Sequence, residues 1–408
     1  MAPDRMTDGH YQPSHQLRLL PGGSSYFPVL IAAIVASQVE VCLETYIFAF
    51  DGAGADVAEA LSEAAQRGVA VRVLMDGIGT PSVPPQWQAR WAAAGVHWHR
   101  FAPLGGLGLL VPSQWRRLHR KLVVVDASLG FCGGINVLDD WLDPENRPQS
   151  SARFDFSVQV QGPLVAHMHA AMLQLWNRVQ LHQQREPWGW ADAKTVWRQM
   201  LGRAGPPLVA APAEGAGGAL AALVLRDNVR HRRSIERVYR KALGTAQRDV
   251  FIANAYFLPS YKLQRALVHA AQRGVRVRLL LQGRYEYFMQ FHAARPLYGK
   301  LLAAGVEIHE YTQGFLHAKV AVVDHAWATV GSSNLDPLSL LLAREANVVV
   351  QDPSFARELH RALEEGAVAH GRALQAQDYA RRPWHQRALD WLAYGLMRLG
   401  IVLAGRRY

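Results

Sequence analysis

Two periodicities alternate along this chain. ALSEAAQ (60–66) spaces its apolar residues as a helix face does, Gly68 ends that pattern, and VAVRVLMD (69–76) alternates as a strand does. The same succession returns as ALVHAAQ (266–272), Gly274 and VRVRLLLQ (275–282). AAAGVHWHRF (92–101) is likewise matched by LAAGVEIHEY (302–311), again a helix end, a glycine and a strand. Next comes HRKLVVVD (119–126) in one copy and HAKVAVVD (317–324) in the other. Each half therefore reads strand, helix, strand, helix, strand, then the octet strand and one more strand. That pattern predicts an α/β protein of two halves, each with a mixed or mainly parallel sheet flanked by helices. GRAGPPLVAAPAEGAGGALAA (202–222) has linker composition, which places the boundary near residue 215. The expected units are 1–215, 216–380 and a basic tail, 381–408. Halves so related are expected to face each other across a pseudo-twofold axis and to bring their equivalent motifs to one site.

The octets carry the chemistry. On an extended strand, residues two apart share a face, so His119 projects with Lys121 and His317 with Lys319. LVVV and VAVV follow, as in a strand buried on both faces. Beyond each Asp come GGIN (133–136) and GSSN (331–334), where small residues allow close approach and Asn136 and Asn334 add amide donors. Two imidazoles, two ammonium groups and two amides at one place make an anion-binding cluster with groups that move protons near neutrality. A phosphodiester suits it. Lys121, Lys319, Asn136 and Asn334 would hold the non-bridging oxygens, while one histidine attacks phosphorus and the other protonates the leaving oxygen. The lysines supply the cationic clamp, so no metal or other cofactor is called for. Asp155 and Glu345 open later alternating strands and are candidates to accept the second ring N–H of a histidine. Asp126 and Asp324 end their strands; they are candidate site residues, with a turn-fixing or cation-holding role favoured over contact with phosphorus. A single H-x-K is ordinarily a solvated strand edge. The whole string twice, at equivalent places in a repeat, is not.

Charge narrows the partner. The 408 residues carry a formal net charge of +11, which favours nucleic acid or an anionic membrane. Only two cysteines occur, Cys42 and Cys132, both in apolar runs, so buried free thiols are expected and a disulfide scaffold is excluded. The longest apolar stretch, YFPVLIAAIVAS (26–37), is too short to span a bilayer. The N-terminal residues lack a signal-peptide pattern, so the expected location is cytoplasmic, on a membrane face.

With these residues in hand a resemblance emerges. HRKLVVVDASLGFCGGIN and HAKVAVVDHAWATVGSSN resemble the paired HKD motifs of the phospholipase D superfamily. ETYIFAFD (44–51), RDNVRHRRSIERVY (226–239), IANAYFLP (252–259) and ATVGSSNLDPLSLLLAREANVVV are similar to bacterial cardiolipin synthases, in particular the B type without N-terminal transmembrane helices. The likeness runs from about residue 17 to about 365. It implies a phospholipase D-like fold and transfer of a phosphatidyl group between two phosphatidylglycerol molecules, giving cardiolipin and glycerol through a phosphohistidine. By position His119 and His317 are the reacting pair, with His119 favoured as nucleophile. Ser25 departs from the family, which usually carries Glu there.

Lipid is favoured over nucleic acid as partner. The tail RRPWHQRALDWLAYGLMRLGIVLAGRRY (381–408) has six arginines and one acid, with Trp384, Trp391, Leu392 and Leu399 at helical spacing. Such a helix lies in a bilayer interface or packs on the core. APLGGLGLLVPSQW (102–115) is an apolar loop for acyl chains or a packed one. RDNVRHRRSIERVYRK (226–241), with seven cations and two acids, lines the site or forms a solvated face. His97 with His99 and His167 with His169 are not read as metal ligands, and Trp188 and Trp190 receive no chemistry. The competing readings are a hydrolase using water as acceptor, a non-catalytic lipid-binding scaffold and a nuclease. Neither motif has lost a polar member, which counts against the scaffold.

Overall fold

The computed structural model describes residues 11–103, 116–142, 148–149, 151–183, 218–227, 231–284, 288–336 and 343–403. The first half runs β1 (Gln12–Pro21), α1 (Gly22–Ala36), β2 (Glu40–Thr45), α2 (Gly52–Gln66), β3 (Ala70–Asp76), α3 (Pro85–Ala94) and β4 (His97–Phe101). The short β5 (Arg117–Leu118), then β6 (Leu122–Val125), β7 (Leu129–Gly133), β8 (Phe156–Gln161) and α4 (Leu164–Gln183) complete it. The second half repeats the plan: β9 (Ala219–Arg226), α5 (Ser234–Thr245), β10 (Asp249–Asn254), α6 (Tyr261–Gln272), β11 (Arg276–Gln282), α7 (Phe288–Ala303), β12 (Glu307–Tyr311), β13 (Lys319–Val323), β14 (Trp327–Gly331), β15 (Ala343–Gln351) and α8 (Pro353–His370). β16 (Gly371–Ala373), α9 (Ala376–Ala380) and α10 (Trp384–Leu403) follow.

The strand order is β16-β12-β11-β10-β13-β14-β15-β9-β1-β8-β7-β6-β2-β3-β4. Outward from the antiparallel β1–β9 seam, the two halves list equivalent strands in the same order. The sheet is mixed. β2–β3–β4 and β10–β11–β12 pair in parallel, joined by crossover helices, and the octet strands and their neighbours pair antiparallel. The antiparallel part is the larger, because hairpins and not crossovers follow each octet.

One core is shared by the halves. Leu122, Val124, Phe156 and Val158 of the first half cluster with Phe251, Val320, Val322 and Val348 of the second. This explains the uninterrupted apolar octet strands: their inner faces meet the other half, and their outer faces meet helices α1–α3 or α5–α7. Cys42 and Cys132 are buried free thiols in this core, both pushed up to about 12 by burial.

The linker reading needs one correction. Its last residues, Ala219–Ala222, belong to β9, where small side chains fit beside β1 and β15. The boundary near 215, Trp188, Trp190 and most of the 102–115 loop lie outside the described residues.

Candidate active site

The backbone sets the site before any side chain does. β5 pairs in parallel with the start of β15, and His119 N–H donates to the Arg344 carbonyl at 3.0 Å. In the mirror arrangement, His317 N–H donates to the Phe154 carbonyl at 2.9 Å. The residues after Arg344 and Phe154 are Glu345 and Asp155. Each histidine is thereby placed beside a carboxylate from the opposite half. His119 Nδ1 lies 3.1 Å from Glu345, and His317 Nδ1 lies 2.7 Å from Asp155. An ionised carboxylate only accepts, so beside Glu345 the Nδ1 of His119 carries the hydrogen; at both histidines the carboxylate engages Nδ1 and leaves Nε2 for chemistry.

A further pair of acceptors fixes the approach to each histidine. Asp76 accepts the Leu118 N–H at 2.6 Å, and Gln282, at the equivalent end of β11, accepts the Leu316 N–H at 3.3 Å. Lys121 Nζ donates to the His119 carbonyl at 2.8 Å, and Lys319 Nζ donates to the His317 carbonyl. Both lysines are buried, an expensive place for a cation without a counter-charge. Burial pulls Lys121 down to about 7 against the pull of Glu345, with Lys319 adding to the fall.

The two pairs differ. A Cβ at Gly134 would collide with the Asp155 carboxylate, so glycine makes room there. The second half has Ser332 at that place, whose Oγ donates to Glu345 at 2.5 Å. Burial pushes Glu345 up, but His119, Lys121 and the Ser332 hydroxyl bring it below the ordinary carboxylate value. Asp155 is pushed up to about 7 by burial, with Lys319 opposing. Burial lowers His119, with Glu345 opposing, and lowers His317 further, helped by Lys319, Lys121 and Arg153. The Tyr46 ring packs on His119 with centroids 5.0 Å apart. So the His119 pair holds an ionised carboxylate and the His317 pair holds a proton up to near neutrality.

Asn136 and Asn334 are buried beside this cluster in sequence, and Asn136 Oδ1 accepts the Ile47 N–H at 3.2 Å. Asp126 and Asp324 are not at the site, which corrects their inclusion among its residues. Each heads the hairpin at the far end of its octet strand in the left-handed region, φ +48° and +52°. Asp126 accepts the N–H groups of Gln38, Val39 and Glu40, and Asp324 those of Gln247, Arg248 and Asp249. Asp tolerates that backbone and its carboxylate takes several donors, which is the turn-fixing role.

The structure also gathers donors that sequence spacing had not joined. Glu40, Cys42 and His169 meet, as do Asp249, His325 and His360. Each carboxylate already holds an arginine at 3.0 Å, Arg72 on Glu40 and Arg278 on Asp249, so the chain supplies the cation itself. These triads tie α4 and α8 to the hairpin end of the sheet. Tyr46, Asp76, Gln282 and Ser332 were missed from sequence as site-building residues. Ser332 lay within a quoted motif, and Asp76 and Gln282 share one repeat position, which was the signal available.

A family model described as cardiolipin synthase, PLD-like domain, matches residues 30–145 and 239–366. The chain belongs to this family. It is 36% identical over 395 residues to cardiolipin synthase B of Shigella flexneri, covering 97% of this chain and 91% of that one. It is 33% identical over 362 residues to cardiolipin synthase A of Pseudomonas aeruginosa, covering 88% and 68%. Its fold is similar to the crystal structure of phosphatidylserine synthase from Haemophilus influenzae, with a TM-score of 0.68 at 11% identity over 97% of this chain and 96% of that one. The expected family and fold are therefore found, and the protein is an enzyme of that family.

The tail helix packs one face on the body and exposes the other. Ala393, Tyr394 and Met397 of α10 pack on Leu258, Met289, Ala293 and Leu297. Asp390, which interrupts the apolar run, points inward and binds His292 at 2.7 Å and Arg382 at 2.9 Å. The opposite face exposes Trp384, Trp391, Leu392, Leu396 and Leu399. Among the described residues no helix is long and apolar enough to cross a membrane.

Proposed function

We propose that the protein makes cardiolipin by transferring a phosphatidyl group from one phosphatidylglycerol to a hydroxyl of another, releasing glycerol. The observation that carries the reading is the crossed pairing of His119 with Glu345 and His317 with Asp155. His119 Nε2 attacks phosphorus and the phosphorus–oxygen bond to glycerol breaks, with His317 giving its proton to the leaving oxygen. His317 then takes the proton of the incoming headgroup hydroxyl, whose oxygen displaces His119. Lys121, Lys319, Asn136 and Asn334 hold the non-bridging oxygens as charge develops. The ionised Glu345 stabilises the positive phosphoimidazole on His119, and the proton retained by the Asp155 pair equips His317 as the acid.

The substrate surface is the cytoplasmic face of the cell membrane, where the exposed apolar face of α10 docks and its arginines meet anionic headgroups. The test is direct. Incubation with phosphatidylglycerol vesicles should yield cardiolipin and glycerol in equal amounts, and acid-stable separation from a rapid quench should not be needed to see both. Phosphatidic acid as the only product would replace this reading with a phospholipase D-type hydrolase.

A further inference from the structure

α5 and α6 lie side by side on the outer face of the second half and leave an open groove of about 600 Å³. Arg237, Arg240 and Lys241 line one wall, and Lys262, Arg265 and His269 the other. Among the described residues the lining contains no carboxylate. Arg273, at the groove's end, donates to the carbonyls of Leu243 and Ala246 at 2.8 and 3.0 Å and so fastens α6 to the end of α5.

The repeat shows that folding does not require this charge. In the first half Arg67 fastens α2 to the end of α1 through the Ile34 and Val35 carbonyls, as Arg273 does in the second. Through the AAQRGV match, Asp56, Glu59 and Glu63 occupy the positions of Lys262, Arg265 and His269. Counting back from the fastened helix ends, Pro28, Ile31 and Ala32 occupy those of Arg237, Arg240 and Lys241. One scaffold thus bears acids and apolar residues in one half and a cleft of like cations in the other. Crowded like charges repel, and a bound anion relieves the repulsion.

We propose that this groove is a second anion site, apart from the histidines, that binds phosphate-ester groups through its guanidinium and ammonium groups. The source is an anionic phospholipid headgroup or a soluble phosphate. The groove lies outside the shared core, so the proposal stands independently of the transferase reading.

The test exchanges one wall for its counterpart in the first half: Lys262→Asp, Arg265→Glu and His269→Glu together. A control removes at least as much charge outside the groove: Arg248→Glu, Arg357→Glu and Arg361→Glu. Binding is measured by calorimetry with inorganic pyrophosphate, and by flotation with phosphatidylglycerol–phosphatidylcholine vesicles. The groove variant should lose at least about tenfold in one or both, the control less than about threefold, and turnover of detergent-dispersed phosphatidylglycerol should persist. Loss with vesicles alone assigns lipid headgroups, and loss with pyrophosphate alone assigns a soluble phosphate. Unchanged binding in both, or equal loss in the control, overturns the proposal. So does loss of self-association in sedimentation while both ligands still bind, since the groove then seats protein. If the triple variant misfolds, Arg240→Gln with Lys241→Gln on the other wall makes the same measurement.

Discussion

Replacing Asp155 by Ala should disable a histidine that lies 162 positions away in sequence. The Asp155 carboxylate is buried and accepts from His317 at 2.7 Å. A hydrogen bond to a charged group contributes about 1.5–3 kcal/mol. If all of it acts through the orientation and proton of His317, the rate on phosphatidylglycerol falls about 10- to 150-fold. The same arithmetic applies to Glu345→Ala acting through His119. The leaving group separates the two. A phosphatidyl ester of p-nitrophenol needs no proton to depart, so general-acid help is dispensable there. In the first-turnover burst of p-nitrophenol release, Asp155→Ala and His317→Ala should both recover to within a few-fold of the parent, while later turnovers stay slow because His317 is still needed as the base. Glu345→Ala and His119→Ala should not, because the nucleophile is still required. Burst rates of p-nitrophenolate release, beside steady rates of cardiolipin formation from phosphatidylglycerol, complete the comparison. Rescue of Glu345→Ala with no rescue of Asp155→Ala would refute the assignment of roles. Identical losses on both substrates for all four variants would refute the crossed pairing as a functional arrangement.

Other outcomes follow from the same geometry. The free-enzyme rate should fall as pH rises through about 7, where Lys121 loses its charge and the Asp155 pair its proton, while His119, held below its ordinary value, keeps its nucleophilic form in mild acid. A pH profile of kcat/KM that climbs steadily to pH 9 contradicts this. Asp126→Ala and Asp324→Ala should each cost about 1–3 kcal/mol of stability by freeing three backbone donors, read as a lower Tm, with little change in turnover per folded molecule. For Asp126, held below its ordinary value, that contribution is present above the unfolded carboxylate value of about 3.9 and lost as pH falls below it. Trp391→Ser with Leu392→Ser should weaken vesicle binding roughly tenfold or more and leave Tm nearly unchanged, since both side chains are exposed. Asp390→Ala should do the reverse, loosening α10 from α7.

The repeat made much of this fold legible. Helix and strand periods, matched twice, located the parallel strands, the octet strands and the two histidines. What single-chain periodicity could not supply was which strand meets which across the seam. The candidate carboxylates were visible as Asp155 and Glu345, but their exchange between halves depends on β5 lying beside β15 and on Phe154 lying beside Leu316, contacts with no local sequence mark. Asp126 and Asp324 share the octets with the histidines and so stood among the site candidates, yet a strand carries its ends apart by roughly 3.3 Å per residue, and the turn-fixing role favoured for them is the one they fill. Ala219–Ala222 read as linker because small residues serve both loops and tightly packed strands.

The exchange of carboxylates also orders events during synthesis. When the ribosome has made only the first half, His119 has no Glu345 and Asp155 has no His317. The half-made enzyme therefore lacks both crossed pairs. Activity begins only once β15 has emerged and docked beside β5, so the reacting centre requires both halves of the polypeptide.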